Sequence, residues 1–144
     1  MLEKNTAQLK HDLKKADDIN KFKRDNKKSF REYTLAEYLK KLLAEKNLSK
    51  AQVISDSCLG NYAYQIFDGK KKASREKILS LAFAMKLTPD ETDYLLYYAE
   101  HKKLYVRNSY DAIIYFALLK GYNITKTNDI LSDSKLSPLL GNFD

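Results

Sequence analysis

Between Ser49 and Asp68 the chain reads SKAQVISDSCLGNYAYQIFD. Ser49 and Gln52 stand at capping spacing, where a side-chain oxygen takes up a backbone N–H that the helix start leaves unpaired. They open a short helix over 49–56, with Ala51, Ile54 and Cys58 expected inward. A further short helix is read over 60–67. Leu59, Tyr62, Ala63 and Ile66 recur there at i, i+3, i+4 and i+7, which places them on one apolar face. Asn61, Tyr64, Gln65 and Asp68 repeat that spacing on a polar face. A helix anchored through the first set turns Asn61, Tyr64 and Gln65 outward together.

The flanking sequence supplies more helices. Thr34 and Glu37 have capping-box spacing, and Leu35, Tyr38, Leu39, Leu42 and Leu43 then form one stripe. Ser74 caps a helix whose buried stripe is Ile78, Leu81, Ala82 and Met85. Thr88-Pro89-Asp90-Glu91 joins a capping threonine, proline at the first helical position and acids where the helix dipole favours them. Five helices are thus expected at about 35–46, 49–56, 60–67, 75–86 and 89–100. A sixth spans Ser109 to Lys120 and stops at Gly121, and a seventh begins near Thr125. Residues 6–28 read as one or two helices with Leu9, Leu13 and Ala16, then Ile19 and Phe22, on apolar faces. Strand signals are absent. The fold class is all-α: five helices of helix-turn-helix order with extra helices at both ends, divided as 1–32, 33–101 and 102–144.

Composition agrees. Glycine (4) and proline (2) are scarce in 144 residues, which favours long helices over turns, and 44% hydrophobic with 31% charged residues marks a globular chain. The charged opening Met-Leu-Glu-Lys is not a secretory leader. The longest apolar run, Ala112 to Leu119, is too short to cross a bilayer, so no membrane association is expected. A single cysteine, Cys58, excludes an intrachain disulfide, and the whole suggests a cytoplasmic setting. The net charge of +7 is uneven: residues 1–31 hold 10 basic and 5 acidic groups. That surplus suits a polyanion, and equally a solvated lysine-rich surface. Residues 1–30 read as an ordered arm, a DNA-contacting arm or a partner-binding tail.

Asn and Gln amides offer a donor and an acceptor together, matching adenine N6 and N7, at about 1–3 kcal/mol of discrimination per good pair. Tyr64 can bond a phosphate or pack on a thymine methyl, and Gly60 lets a DNA backbone approach closely. Lys50 and Gln52 begin the preceding helix, Lys70-Lys71-Lys72 follows, and Ser74-Arg75 opens the next with N–H groups suited to phosphate.

The stretch Leu48 to Glu91 resembles lambda-repressor-like (XRE-type) helix-turn-helix transcriptional regulators of Gram-positive bacteria. The resemblance is carried by Tyr64-Gln65-Ile66-Phe67, Gly69 with its basic tail, Ser74-Arg75, Leu79-Ser80-Leu81-Ala82 and the Leu104-Tyr105 to Ala117 segment. It implies sequence-specific binding of double-stranded DNA, often as a homodimer, with transcriptional control as the outcome. Carried over by position, Gly60, Asn61, Tyr64 and Gln65 face bases, and Ser49, Lys50, Gln52, Lys70, Lys71, Ser74 and Arg75 hold phosphates. Two departures stand out: the link before the 60–67 helix is about one residue shorter than usual, and residues 59–68 contain no Arg or Lys.

The second reading is a non-enzymatic protein-interaction module, an antitoxin, adaptor or inhibitor on a repurposed helix-turn-helix scaffold. Catalysis has no constellation to rest on. His11 and His101 are far apart in sequence, and there is no Cys-x-x-Cys, glycine-rich phosphate loop or serine elbow. No catalytic residue, metal or cofactor is therefore expected. Tyr62 and Phe67 are read as core, and most of the eleven tyrosines as helix packing. The sixth helix, apolar all round, is either a central helix covered on every side or one that completes a dimer interface.

Overall fold

The computed structural model describes residues 6–27, 30 and 33–139, and every regular element among them is an α-helix. The chain divides into two compact units, Met1–Glu32 and Tyr33–Asp144.

The first unit holds α1 (Thr6–Lys15) and α2 (Ile19–Asp25). Asp18 caps α2 by accepting the Asn20 N–H at 2.9 Å. Phe22 is buried, its ring edge-on to Phe30 at 6.0 Å, and Asn26 folds back so that its amide donates to the Phe22 carbonyl. Of the other residues expected on apolar faces, Leu9 is half-buried, whereas Ala16 is exposed, as are Leu13 (48%) and Ile19 (57%), and no residue of α1 is fully buried. Two short helices offer too little surface to each other to cover both stripes.

The second unit contains α3 (Leu35–Glu45), α4 (Lys50–Ser57), α5 (Asn61–Phe67), α6 (Arg75–Ala84), α7 (Pro89–Tyr98), α8 (Ser109–Lys120) and α9 (Ile124–Asp133). Side-chain caps set these starts, those at Thr34, Ser49, Ser74 and Thr88 as read from the sequence and those at Asn108 and Asn123 found in the structure. Thr34 and Thr88 each close a full capping box, and Ser49, Ser74, Asn108 and Asn123 each accept one N–H at the start of their helix.

The centre of the unit is α6. All seven residues from Ile78 to Ala84 are buried, because α4, α7 and α9 pack around the helix. Its buried Ser80 hydroxyl donates to the Glu76 carbonyl at 3.0 Å, so the one polar group in that run is satisfied inside the helix itself. Each large apolar side chain fully removed from water here contributes roughly 1.5–3 kcal/mol.

This sets aside the first of the two readings of the sixth helix, a central helix covered on every side. α8 is not covered on every side: it buries Asp111, Ile114, Ala117 and Leu118, while Phe116 is 46% and Leu119 62% exposed. A second correction concerns α4, where the inward residues are Val53, Ile54 and Ser57, and Ala51 and Cys58 are exposed. The helix ends at Ser57. Cys58 is left-handed at φ 60°, so it leaves the helical face that the spacing assigned to it. Residues 102–139 continue the same unit, with α8 packed on α7 and α9 on α6.

Several helices end without glycine. Asn47, Cys58, Lys86, Glu100 and Lys135 all stand at positive φ after a helix, a conformation that costs an L-residue roughly 1 kcal/mol relative to glycine.

The Thr88 box is also tied to α3, because the Glu91 carboxylate that accepts the Thr88 N–H at 2.9 Å meets Lys46 at 2.7 Å. Thr88→Ala should lower stability by about 1 kcal/mol in urea unfolding. An unchanged midpoint would show that the hydroxyl does not contribute.

Candidate nucleic-acid interface

Three residues, Cys58 to Gly60, join α4 to α5. The Ser57 hydroxyl donates to the Ile54 carbonyl at 2.7 Å and accepts the Leu59 N–H at 3.3 Å, which closes the turn from inside. Gly60 has φ 59° and ψ −140°, a region open essentially to glycine alone. No atom lies within 4 Å of where its Cβ would stand, so backbone conformation and not local crowding accounts for glycine there.

From that turn α5 is fixed by its apolar side. Ala63, Ile66 and Phe67 are buried, and the half-buried Tyr62 donates its hydroxyl to the Lys72 carbonyl at 2.7 Å. Asn61 and Tyr64 are consequently exposed, whereas Gln65 is half-buried. The Gln65 carbonyl accepts the N–H groups of Lys70 at 2.9 Å and Lys71 at 3.3 Å, so the loop carrying the three lysines folds back on the end of α5. Lys70, Lys71 and Lys72 are exposed. The loop is held at its far end as well, where the His101 ring meets the Ala73 carbonyl at 2.7 Å.

The remaining predicted site residues divide. Lys50 reaches across from α4 to α5: its ammonium lies 3.7 Å from Asp68 and within 6 Å of the Tyr64 and Phe67 rings, at 5.7 and 5.6 Å. Both members of that ion pair are substantially exposed, so it contributes little to stability and a phosphate can compete for the lysine. Ser49 and Ser74 use their hydroxyls as caps, accepting from Gln52 N–H and Lys77 N–H. The exposed Gln52 amide donates to Asp56 at 2.9 Å.

Arg75 departs from its expected place at a phosphate. Its guanidinium forms a two-pronged bridge to Asp111, both bonds 2.8 Å, and donates to the Lys102 and Lys103 carbonyls at 3.0 and 3.2 Å. The group is consumed in joining the start of α6 to α8 and to the segment between α7 and α8. Sequence reading missed this clasp and the His101 contact, since residues 36 and 28 positions apart share no local periodicity.

Burial alone would raise the Asp111 carboxyl, but Arg75 and the Tyr105 N–H at 2.9 Å outweigh it and hold the group below its ordinary 3.8. Burial likewise pushes up the neighbouring Tyr110 phenol, to about 12. At Asp93 burial is again the leading effect and raises the carboxyl, which accepts the Leu104 N–H at 2.8 Å. Among the described residues no cluster of histidine, cysteine and carboxylate side chains could hold a metal, and no helix is long and apolar enough to cross a membrane.

No protein-family model, curated protein or solved structure matches the chain.

The depressed Asp111 pKa fixes the sign of one pH effect. A carboxyl with a folded-state pKa below its unfolded value contributes fully above about pH 4, and the contribution disappears as pH falls through the lower, folded value. Asp111→Ala should therefore cost about 2 kcal/mol at neutral pH, because the half-buried Arg75 guanidinium loses its two-pronged partner. It should also flatten the acid limb of the stability–pH curve, measured by urea unfolding at stepped pH. An acid limb as steep in the variant as in the wild type would place the titration elsewhere.

Proposed function

We propose that this chain is a sequence-specific regulator that binds double-stranded DNA and lays α5 in the major groove. The observation that carries the reading is the orientation of α5. It is anchored through Ala63, Ile66 and Phe67, and it exposes Asn61 and Tyr64, with Lys50 beside the Tyr64 ring and the Lys70–Lys72 loop folded back on the end of the helix. In this reading Asn61, Tyr64 and the accessible part of Gln65 meet base edges, and Gly60 sets the angle at which the helix enters. Lys50, Lys70 and Lys71 take phosphates, with the exposed Gln52 beside Lys50. Arg75 supports the site from behind and makes no phosphate contact. A second copy on a neighbouring half-site would double the phosphate contacts.

A second reading follows from one specific observation. α5 itself carries no cation, and Asp68 at its end engages Lys50 at 3.7 Å. That surface also suits a protein partner, on which the chain would act as an adaptor or inhibitor.

Selection from random duplex DNA separates the two. Wild type should enrich a motif that the Asn61→Ala/Gln65→Ala double variant loses, and a near-palindromic motif would mark a dimer. Affinity should fall with salt at a log–log slope of about −0.9 per neutralised phosphate, and Lys70→Ala/Lys71→Ala should reduce that slope by about 2. No enrichment by folded wild-type protein would reject the DNA reading in favour of the protein partner.

A further inference from the structure

A helix laid in the major groove distinguishes bases only through the groups it can bring to their edges. Guanine is most often met by an arginine or lysine on O6 and N7. Adenine is met by an asparagine or glutamine amide on N6 and N7, and thymine by apolar contact with its methyl group. Which of these contacts α5 can make depends on the side chains it exposes and on where the neighbouring cations are held.

α5 itself, Asn61–Phe67, contains no lysine or arginine. The cations around it are already engaged or stand at its far end. Arg75 is closed in its two-pronged bridge to Asp111, both bonds 2.8 Å, and in bonds to two carbonyls. The Lys77 ammonium lies 4.5 Å from the centre of the Tyr62 ring, and Tyr62 belongs to the anchored side of the helix. Lys70 and Lys71 are fixed beyond the end of α5, since both their N–H groups bond the Gln65 carbonyl. Lys50 pairs with Asp68 at 3.7 Å, and on DNA it exchanges that carboxylate for a phosphate, so in neither state does it meet a base. Asp68, whose carboxylate would suit the cytosine amino group, faces Lys50 at the other end of the helix from Asn61, about 10 Å along its axis.

Two exposed groups remain, Asn61 and Tyr64. Three residues apart, they project from one side of the helix about 4.5 Å from each other along its axis, near the spacing of adjoining base pairs. The Asn61 amide carries the donor and acceptor that adenine requires, and the Tyr64 ring, 44% exposed, offers an apolar edge. Gln65 is half-buried, and where its amide reaches a base it again matches adenine. We infer, on the footing that α5 enters the major groove, that the helix selects an adenine met by Asn61 and a thymine one step away met by Tyr64, and makes no guanine contact.

The experiment takes the duplex that the full-length chain enriches from random sequence and replaces single atoms in it. Deazaadenine removes the N7 acceptor, and uracil removes the thymine methyl. Deazaadenine at one adenine should weaken binding about ten-fold. Uracil at an adjoining thymine should weaken it about three-fold. Asn61→Ala should abolish the first loss and Tyr64→Ala the second, while Asn61→Arg should move the preference at the first position to guanine. Lys50→Ala should weaken binding to every duplex alike and leave the base preference unchanged. Asn61 and Tyr64 are exposed, so their variants keep the fold, with thermal unfolding as the control. The inference is overturned, and DNA binding kept, if the adenine and thymine losses persist in the variants. A guanine whose deaza replacement weakens binding only while Asn61 is present would have the same effect. No salt-dependent binding to any duplex would instead reject the reading of α5 as a groove-binding helix, and this inference with it.

Discussion

A stretch of helix that shows no side to water can be held only by neighbours on several sides, and α6 from Ile78 onward is such a stretch. Its seven buried residues from Ile78 to Ala84 give α4, α7 and α9 a common surface to pack on. The position of α5 follows at one remove, because α4 rests on α6 and the three-residue turn through Gly60 leaves little freedom in how α5 departs. Shifting α6 would move the outward side chains of α5 with it. Close-packed interiors respond to a change in one element by displacing others, which is why α6 bears on the placing of α5 through α4.

The start of α6 adds a polar constraint to this apolar one. Arg75 is the first residue of the helix, and its bridge to Asp111 and two carbonyls ties that end to the segment leading into α8. His101 meets the Ala73 carbonyl just before it, and Gln65 and Tyr62 hold the same loop from the α5 side. The lysine-bearing loop is thus pinned at both ends. A loop held this way offers its charges with less ordering left to do on binding.

Much of this was legible in the sequence where the cause is local. A cap is a contact between residues two or three apart, so Thr34, Ser49, Ser74 and Thr88 announced their helices, and Gly121 announced an end. The face of α5 was equally readable from its spacing. What could not be read were the choices between equally apolar helices and the contacts across long stretches of chain. Both α6 and α8 look buried by composition. The difference lies in placement: α4, α7 and α9 pack around α6, whereas α8 packs on α7 and α9 and leaves Phe116 and Leu119 open. The role of Arg75 was misread for the other reason, since a basic residue beside a lysine run gives no local sign of a carboxylate waiting far along the chain. Gln65 fell between these cases, correctly placed by spacing but partly covered in the folded chain.

The left-handed residues that follow several helices have a consequence for how the chain acquires its form. Asn47, Cys58, Lys86, Glu100 and Lys135 adopt that conformation without the ease that glycine would bring. Nothing in these side chains compels a helix to stop, so its length is decided by the fit of the next element against the core. Cut from the chain, such a segment would have no fixed end and would fray or extend with conditions. These five helix ends are therefore products of assembly, settled only when the packing around α6 closes.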